Sequence, residues 1–258
     1  MLVFGGCAVP VVPRLVHQVF HDPAQLPAEL LASIDALRTR NTAWNFSLYS
    51  EQACFDFIRR NYPARVLSAY NAISPLYFAA RTDFFRYLVL YEKGGIYLDA
   101  KSSASRPLDE VVGEAPYLLA HWDNRPGERH QGWGLHFQDI PRGEFQQWNI
   151  ASLPKHPFLK WVIEQVLHNI ENYSIQAYGV GARGVLSTTG PIPYTLAIKR
   201  CINSTTPPHR IVDCHLDVGL VYSVYENGGA GFTHHTRLAG RPHYSQLTEP
   251  VVLRLGQP

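Results

Sequence analysis

Two charged residues in this sequence share one predicted helix face with side chains that are typical of a protein core. Asp83, Arg86, Tyr87 and Leu90 recur at helical spacing, which places a carboxylate and a guanidinium together on that face. Such a pair is either an internal ion pair that holds the helix in its packing or part of a ligand site. In a ligand site, both groups would give strong, oriented hydrogen bonds to polar atoms.

A third charged residue follows a short buried strand. The strand at residues 96–98 delivers Asp99 to its carboxyl end, where ligands bind in open α/β sheets. A plain turn residue is the competing interpretation of Asp99. The next residues, 101–106, carry hydroxyls and cations that can meet a diphosphate. We therefore expect the helix face and the strand end to converge on one cavity.

The elements that position these residues follow from periodicity and from turn signals. The pattern predicts strands at 14–20, 44–49, 96–99 and 117–121, and helices at 27–38, 52–60, 64–70, 75–90 and 157–170. Pro75 suits the first turn of the fourth helix, and Lys93 with Gly94 and Gly95 marks its end. The order strand, helix, strand predicts a parallel sheet with crossover helices.

Composition excludes several classes of protein. Hydrophobic residues make up 46% and charged residues 17% of 258, which fits one globular α/β domain. The 23 basic and 21 acidic residues are too balanced for a nucleic-acid surface. No signal peptide or membrane-spanning segment is found, which predicts a cytoplasmic protein. The four cysteines form no CxxC pair, although a Cys201–Cys214 bridge stays open.

The stretch from residue 79 to residue 99 resembles a known family signature. The run AARTDFFRY at 79–87, LY at 90–91 and GGIYLD at 94–99 are similar to the retaining glycosyltransferases with a DxD sugar-binding region. That family includes fungal initiating α-1,6-mannosyltransferases and α-1,4-galactosyltransferases. Residues 13–20, 148–149, 155–158 and 188–195 resemble further blocks of the family, in the same order. The resemblance covers most of residues 13–200.

The resemblance implies a fold and an activity. The fold is α/β of the GT-A type, with a Rossmann-like nucleotide-binding mixed sheet flanked by helices. Residues 1–258 form one domain, with a donor-binding part at about 13–120 and an acceptor and C-terminal part at about 121–258. The activity is transfer of a sugar from a UDP- or GDP-sugar to a hydroxyl of a carbohydrate or glycoconjugate, with retention of configuration. The sequence indicates neither the sugar, the acceptor nor the oligomeric state.

The resemblance also assigns roles to single residues. Asp83 and Arg86 would hold hydroxyls of the donor sugar, and Asp99, Arg86 and Lys101 would form the catalytic group. Further substrate-binding residues would be His17, Gln18, Gly94, Gly95, Asn149, Thr189 and Gly190. His17 is equally explained as a histidine satisfied in the core. Aromatic and polar side chains suited to an acceptor cleft are Trp122, Asp123, Trp133, His136, Trp148 and Asn149.

The sequence departs from the family motif at one position, where Asp99-Ala100-Lys101 stands for Asp-x-Asp. Residues 99 and 101 point to one side of an extended chain, about 6 to 7 Å apart. At ~6 Å a divalent ion and an ammonium repel by roughly 5 kcal/mol at an effective dielectric of 20. Either Asp99 still holds Mn²⁺ or Mg²⁺ with His235 or His243, the interpretation that we prefer here, or Lys101 itself neutralises the diphosphate.

Two other classes of protein compete with a glycosyltransferase. A carbohydrate- or nucleotide-sugar-binding protein without activity would use the same cleft after loss of the second aspartate. A nucleotidyltransferase would need at least two metal-binding carboxylates at one site, and only Asp99 is reliably placed. Hydrolysis of a nucleotide sugar would distinguish the enzyme from the binding protein.

Overall fold

A six-stranded mixed sheet forms the centre of the protein. The computed structural model describes residues 11–202, 206–225 and 243–253. In this sheet the strand order is β2-β1-β3-β6-β5-β7. Its strands are β1 Leu15–Val19, β2 Asn45–Tyr49, β3 Gly95–Leu98, β5 Tyr117–His121, β6 Asn149–Ser152 and β7 Arg210–Asp213. A separate two-stranded pair joins β4 Ser103–Ala104 to β8 Leu220–Val221.

The strand directions bring several carboxyl ends to one edge of the sheet. Strand β1 runs parallel to β2 and β3, and β5 runs parallel to β7. Strand β6 lies antiparallel between β3 and β5, so β3 and β5 share one direction. The ends of β3, β5 and β7, at Asp99, Trp122 and Cys214, therefore lie at the same edge. The expected parallel arrangement holds for every strand of this sheet except β6.

Helices cover both faces of the sheet. They are α1 Ala28–Arg40, α2 Glu51–Asn61, α3 Ala64–Ala72, α4 Phe78–Lys93, α5 Leu108–Val112, α6 Pro157–Glu171, α7 Ile175–Tyr178, α8 Gly181–Thr188 and α9 Pro191–Lys199. Side chains alternate along β3, so Tyr97 packs with α4 and α6 while Ile96 and Leu98 pack with α1 and α5. A sheet between two helical layers is the expected α/β architecture.

Helix α4 begins later than the sequence predicts. Ser74 donates its backbone N–H to the carbonyl of Val251 at 2.9 Å, and the chain turns before entering the helix at Phe78. Pro75 therefore lies in this turn and not in the first turn of α4. The end of the helix agrees with the prediction, because Gly94 and the following residue adopt positive φ angles of 64° and 96°.

Several short elements, among them β4, α5, β6 and α7 to α9, were not predicted, and two cysteines can now be assigned as free thiols. Strand β6 is only four residues long, and α7, α8 and α9 are short helices among glycines and prolines. Cys201 and Cys214 are free thiols, so the disulfide left open by the sequence is not formed. No helix within the described ranges has both the length and the hydropathy that crossing a membrane requires.

Candidate active site

The face of α4 and the end of β3 meet at one guanidinium group. Arg86 Nη2 lies 2.9 Å from Asp83 Oδ1 and 3.2 Å from Asp99 Oδ1. The side chains of Arg86 and Asp83 are each only 5% exposed, whereas that of Asp99 is 24% exposed. Because one guanidinium contacts both carboxylates, Asp83 and Asp99 face the same space. We call these three residues the carboxylate–arginine cluster.

Two segments far along the chain fix the buried half of this cluster. Asp83 accepts hydrogen bonds from Gln147 Nε2 at 3.0 Å and from Thr189 Oγ1 at 3.1 Å. Arg86 donates to the backbone carbonyl of Gln147 at 2.7 Å and lies over the ring of Tyr97, 4.7 Å from its centroid. An ionised carboxylate has about four lone-pair sites, so Asp83 retains acceptor capacity for a ligand hydroxyl.

Burial and charge act against each other in the cluster. Burial raises the pKa of Asp83 to about 6, while the Arg86 guanidinium acts to lower it. Burial alone would lower the pKa of Arg86, but Tyr97, Asp99 and Asp83 around it raise that pKa above its ordinary value. Arg86 therefore stays charged, and it can meet developing negative charge on a ligand.

Lys101 is held beside the cluster by the segment that contains β8. Its ammonium donates to Tyr222 Oη at 2.8 Å and lies 4.0 Å from the centroid of that ring. The Lys101 carbonyl accepts from Val224 N at 2.9 Å, and Ser102 Oγ donates to the Tyr222 carbonyl at 2.6 Å. Side chain and backbone of Lys101 are therefore both positioned by residues about 120 positions later in the chain.

The C-terminal segment also returns to this region. Burial and, to a lesser extent, the positive charge of Lys101 lower the pKa of His243 to about 4, so His243 lies near the ammonium. Burial raises the pKa of Tyr244, and the charges of Asp83 and Asp99 act on it in the same direction. The other histidine expected here, His235, lies outside the described residues.

His17 lies on β1 with both ring nitrogens used inside the fold. Nε2 lies 3.0 Å from the Gly94 carbonyl and Nδ1 lies 3.1 Å from Tyr49 Oη. Nε2 therefore donates to the carbonyl, and Nδ1 accepts from the phenol. Burial lowers the pKa of His17 to about 4. These contacts agree with the interpretation of His17 as a satisfied core residue.

We expect His17 to make the protein less stable in acid. Its pKa is lower in the folded chain than the 6.5 of the unfolded chain, so the unfolded state binds more protons between these values. This part of the unfolding free energy is complete above about pH 6.5 and is lost as the pH falls towards 4. Between pH 7 and pH 5, the free energy of unfolding measured by urea titration should fall by about 2 kcal/mol more in wild type than in His17→Gln.

The control is His168→Gln on the exposed face of α6. This variant should keep the wild-type pH dependence. Equal losses in wild type and His17→Gln would contradict the assignment of acid sensitivity to His17.

Buried amide groups without partners lie next to the end of β3. Asn149 pairs with Leu98, and Gln18 follows the residue of β1 that pairs with Tyr97. Within the described ranges, Gln18 Nε2, Trp148 Nε1, Asn149 Nδ2 and Asn149 Oδ1 have no hydrogen-bond partner. Buried polar groups are normally bonded. These atoms are therefore available to a ligand.

The structure brings some of the other expected residues to the cluster and leaves others away from it. Thr189 bonds Asp83, and the neighbouring Gly190 packs so closely that a Cβ would lie 2.8 Å from Leu186 Cα. Gly94 and Gly95 lie at the opposite end of β3 from Asp99. At Gly95 a Cβ would lie 2.4 Å from a backbone carbonyl, so these glycines shape the turn into β3.

Four of the residues expected at an acceptor cleft, Trp122, Trp133, Trp148 and His136, lie in two groups. Trp122, Trp133, Trp148 and Tyr222 make one aromatic cluster, with ring centroids 5.0 to 6.2 Å apart. His136 pairs with the buried Glu144 at 3.2 Å, and burial raises the pKa of Glu144 to about 7. Trp122 also lines a cavity of about 560 Å³ with Arg125, Arg142 and Asp213.

Asp123 belongs to a buried group with His130 and Cys214. Their potential ligand atoms lie within 4.8 Å of one another. Asp123 accepts hydrogen bonds from the backbone N–H groups of His215 and Leu216, and it also accepts from the Cys214 thiol. These bonds tie the segment after β5 to the segment after β7.

Sequence reasoning missed Gln147 and Tyr222. Gln147 directly precedes the Trp148-Asn149 block, so its position beside a family motif was a usable signal. Tyr222 had no comparable signal, because it reaches Lys101 only through the pairing of β4 with β8. Tertiary structure alone brings it to the site.

Comparison with known proteins identifies the region that contains the cluster. Residues 27–118 match a family model described as glycosyltransferase sugar-binding region containing DXD motif. Inositol phosphoceramide mannosyltransferase 1 of Schizosaccharomyces pombe is 24% identical over 229 residues, which cover 87% of this chain and 60% of that protein. The initiation-specific alpha-1,6-mannosyltransferase of the same organism is 25% identical over 210 residues, covering 74% and 49%. The chain thus spans about half the length of these curated relatives.

Solved structures show the same fold at low sequence identity. The PaToxG glycosyltransferase superimposes with a TM-score of 0.52 and 16% identity, covering 74% of this chain and 70% of that one. The ligand-free glycosyltransferase domain from the YGT toxin gives a TM-score of 0.54 and 8% identity, covering 84% and 82%. The chain therefore has a GT-A type fold, as the sequence predicts.

The DXD motif indicates that the family uses a divalent cation. In this chain Asp99 provides one carboxylate, which already contacts Arg86, and the residue two positions later is Lys101. In the described part of the chain, no three histidine, cysteine or acidic ligand atoms come together at Asp99. Hard divalent cations prefer several oxygen ligands. A single carboxylate that already contacts a guanidinium does not fit that preference.

Proposed function

We propose that this chain is a glycosyltransferase of the kind that has a DXD-containing sugar-binding region, which its residues 27–118 match, and that it transfers a sugar from a UDP- or GDP-sugar to an acceptor hydroxyl. The acceptor is a carbohydrate or glycoconjugate, and the anomeric configuration is retained. The carboxylate–arginine cluster supports this proposal most strongly, because a buried carboxylate and guanidinium on α4, together with Asp99 at the end of β3, suit a sugar with several hydroxyls. The relatives are named mannosyltransferases, so mannose is the first sugar to test.

We propose separate roles for the residues of the cluster. Asp83 and Arg86 hold hydroxyls of the donor sugar, and Asp99 contacts the ribose and the diphosphate. Arg86 and Lys101 stabilise the negative charge that develops on the leaving diphosphate. The bond between the anomeric carbon and the phosphate oxygen breaks as the acceptor oxygen attacks from the same face. The departing phosphate oxygen takes the proton of the acceptor hydroxyl, so no protein nucleophile is required.

The two parts of the chain bind different substrates in this proposal. Residues 13–120 form most of the donor site, to which Asn149 is added from the second part, and residues 121–258 contribute the acceptor cleft. Support for the acceptor side comes from the aromatic cluster and from the adjoining cavity that shares Trp122. Aromatic faces beside charged and polar groups are suited to carbohydrates. No step of the proposed reaction uses Mn²⁺ or Mg²⁺, because the residues around Asp99 do not fit either ion.

A panel of UDP- and GDP-sugars tests the proposed function. A donor present at 100 times its Kd stabilises the folded state by about 2.7 kcal/mol, which thermal-shift measurements detect. Donors that bind are then incubated with the protein, and release of the nucleoside diphosphate is followed. Slow hydrolysis supports a transferase, whereas binding without hydrolysis supports the non-catalytic sugar-binding protein. Absence of binding to every donor would refute both.

We propose that Asn149 contacts the donor, and Asn149→Leu tests this role. The variant should weaken binding of the donor at least about 10-fold, which equals roughly 1.4 kcal/mol. Its melting temperature should stay the same or rise, because the amide that is removed has no partner in the described fold. Titration calorimetry and thermal melting together measure both effects.

The matched control is Asn41→Leu. Asn41 is also buried, but its amide donates to the Leu37 carbonyl at 2.8 Å and accepts from Leu108 N at 2.7 Å. We expect this control to lose stability while donor affinity is kept. A loss of stability in Asn149→Leu without loss of affinity would show that Asn149 is structural.

A further inference from the structure

Lys101 brings a positive charge to the position that an acidic residue holds in the DXD motif. Lys101 lies two residues after Asp99, at the edge of the sheet where the cluster lies. In the motif, two carboxylates and one divalent cation carry a total charge of zero. Asp99 and Lys101 also sum to zero, without any ion. A divalent cation added to this pair would leave an excess of two positive charges.

Among the described residues, the ammonium of Lys101 is held in place by groups that carry no net charge. Its contacts are the hydroxyl of Tyr222 at 2.8 Å and the face of the same ring at 4.0 Å. A phenol and its ring orient a cation but carry no net charge. By contrast, Lys155 and Lys199 form ion pairs with Glu92 and Asp139. In the described part of the chain no carboxylate pairs with Lys101, so its ammonium is available to an anionic ligand.

The backbone around Lys101 limits how far the ammonium can move. The Lys101 carbonyl accepts a hydrogen bond from Val224, and Ser102 Oγ donates to the carbonyl of Tyr222. Strands β4 and β8 pair immediately beyond these bonds. A charge fixed in advance near developing negative charge needs little reorganisation during the reaction. A bound metal ion provides such a fixed positive charge in other enzymes in which negative charge develops on a phosphate oxygen.

We propose that the Lys101 ammonium replaces the divalent cation and binds the donor diphosphate, so that this protein binds nucleoside diphosphates without metal. This inference rests on the proposed function, because it assumes that the ligand of the cluster is a nucleoside-diphosphate sugar. In this proposal Lys101 contacts the phosphate oxygens directly, and Arg86, which contacts Asp99, is a second fixed cation. The Lys101 ammonium then supplies, within the protein itself, the positive charge that neutralises the donor diphosphate.

Calorimetric titration of UDP and of GDP tests the proposal, because it measures binding without relying on turnover. Wild-type protein is dialysed against EDTA and titrated in EDTA and, separately, in excess Mn²⁺. We expect affinities that agree within about 3-fold. Lys101→Met should weaken binding in EDTA at least about 30-fold through loss of the charge, whereas Lys101→Arg should keep most of the affinity. Lys101→Asp, which restores Asp-x-Asp, should bind only when Mn²⁺ is present.

The matched control is Lys155→Met, since Lys155 also lies over a tyrosine ring, 4.5 Å from the centroid of Tyr91. It is near the opposite end of β3, and its variant should bind like wild type. If wild type binds UDP or GDP only with Mn²⁺, or if Lys101→Met binds as wild type does, the role of Lys101 is wrong, while the proposed transfer of a sugar from a nucleotide sugar stands. If neither nucleotide binds with or without Mn²⁺, both are wrong.

Discussion

Replacing Asp99 with alanine should lower the rate of donor cleavage about 1,000-fold while the fold remains intact. In the proposed reaction Asp99 contacts the ribose and diphosphate and also holds Arg86 from the open side of the cluster. Its side chain is partly exposed, so its removal should change the unfolding free energy by less than about 1 kcal/mol. The measurements are release of nucleoside diphosphate from the donor found in the panel, and thermal melting.

Asp109→Ala provides the control for this prediction. Asp109 also pairs with an arginine, Arg14, at 3.0 Å, but the pair is exposed on the surface. Its replacement should leave the rate of cleavage unchanged. A rate for Asp99→Ala within 10-fold of wild type would mean that Asp99 is only a turn residue, which was the competing interpretation of its position.

Replacing Arg86 with methionine should cause the largest loss of stability, about 3 to 5 kcal/mol. The change leaves the buried carboxylate of Asp83 without its cation, although Gln147 and Thr189 still donate to it. The double variant Asp83→Leu/Arg86→Met removes both charges and should recover at least half of that loss, because apolar pairs often replace buried ion pairs at little cost. Neither variant should cleave the donor. Urea titration measures the unfolding free energies.

Arg65→Met is the control for the stability effect. Arg65 contacts Glu171 at 2.6 Å and Glu164 at 3.1 Å, but its side chain is 51% exposed. Its loss should cost less than about 1 kcal/mol. If the double variant were no more stable than Arg86→Met, the loss would come from packing of the arginine side chain and not from the uncompensated charge.

The region around α4 and β3 was predictable because its signals are local. Lys93 and Gly94 end the helix, a buried strand follows, and Asp99 ends that strand. Helical spacing placed Asp83 and Arg86 on one face, and the structure joins both through a guanidinium contact to Asp99. Each of these features depends on residues fewer than twenty positions apart.

Features that depend on distant segments were not predictable. Helix α4 begins at Phe78 because Ser74 bonds Val251, a residue on the C-terminal segment. Strand β6 is recognisable only from its place between β3 and β5. Similarly, nothing close to Lys101 in the sequence indicates that Tyr222 holds its ammonium.

Residue type alone also left two roles undecided. His17 has the polarity of a ligand-binding residue, but its partners Tyr49 and Gly94 were invisible in the sequence. The glycines after α4 belong to the same motif as Asp99, yet they lie at the other end of β3. A motif fixes the order of its residues along the chain, but the length of β3 separates the glycines from Asp99 by about 13 Å.

The bond between Asp83 and Thr189 spans 106 residues, and that between Asp83 and Gln147 spans 64. A binding pocket that is closed by such long loops exists only when nearly the whole chain has folded, because its parts have no separate stability. A molecule bound in this pocket contacts α4, the residues just before β6 and the end of α8 at the same time. Binding of a ligand in this pocket should therefore protect the whole chain against unfolding, and the degree of protection should rise with the fraction of protein that has ligand bound.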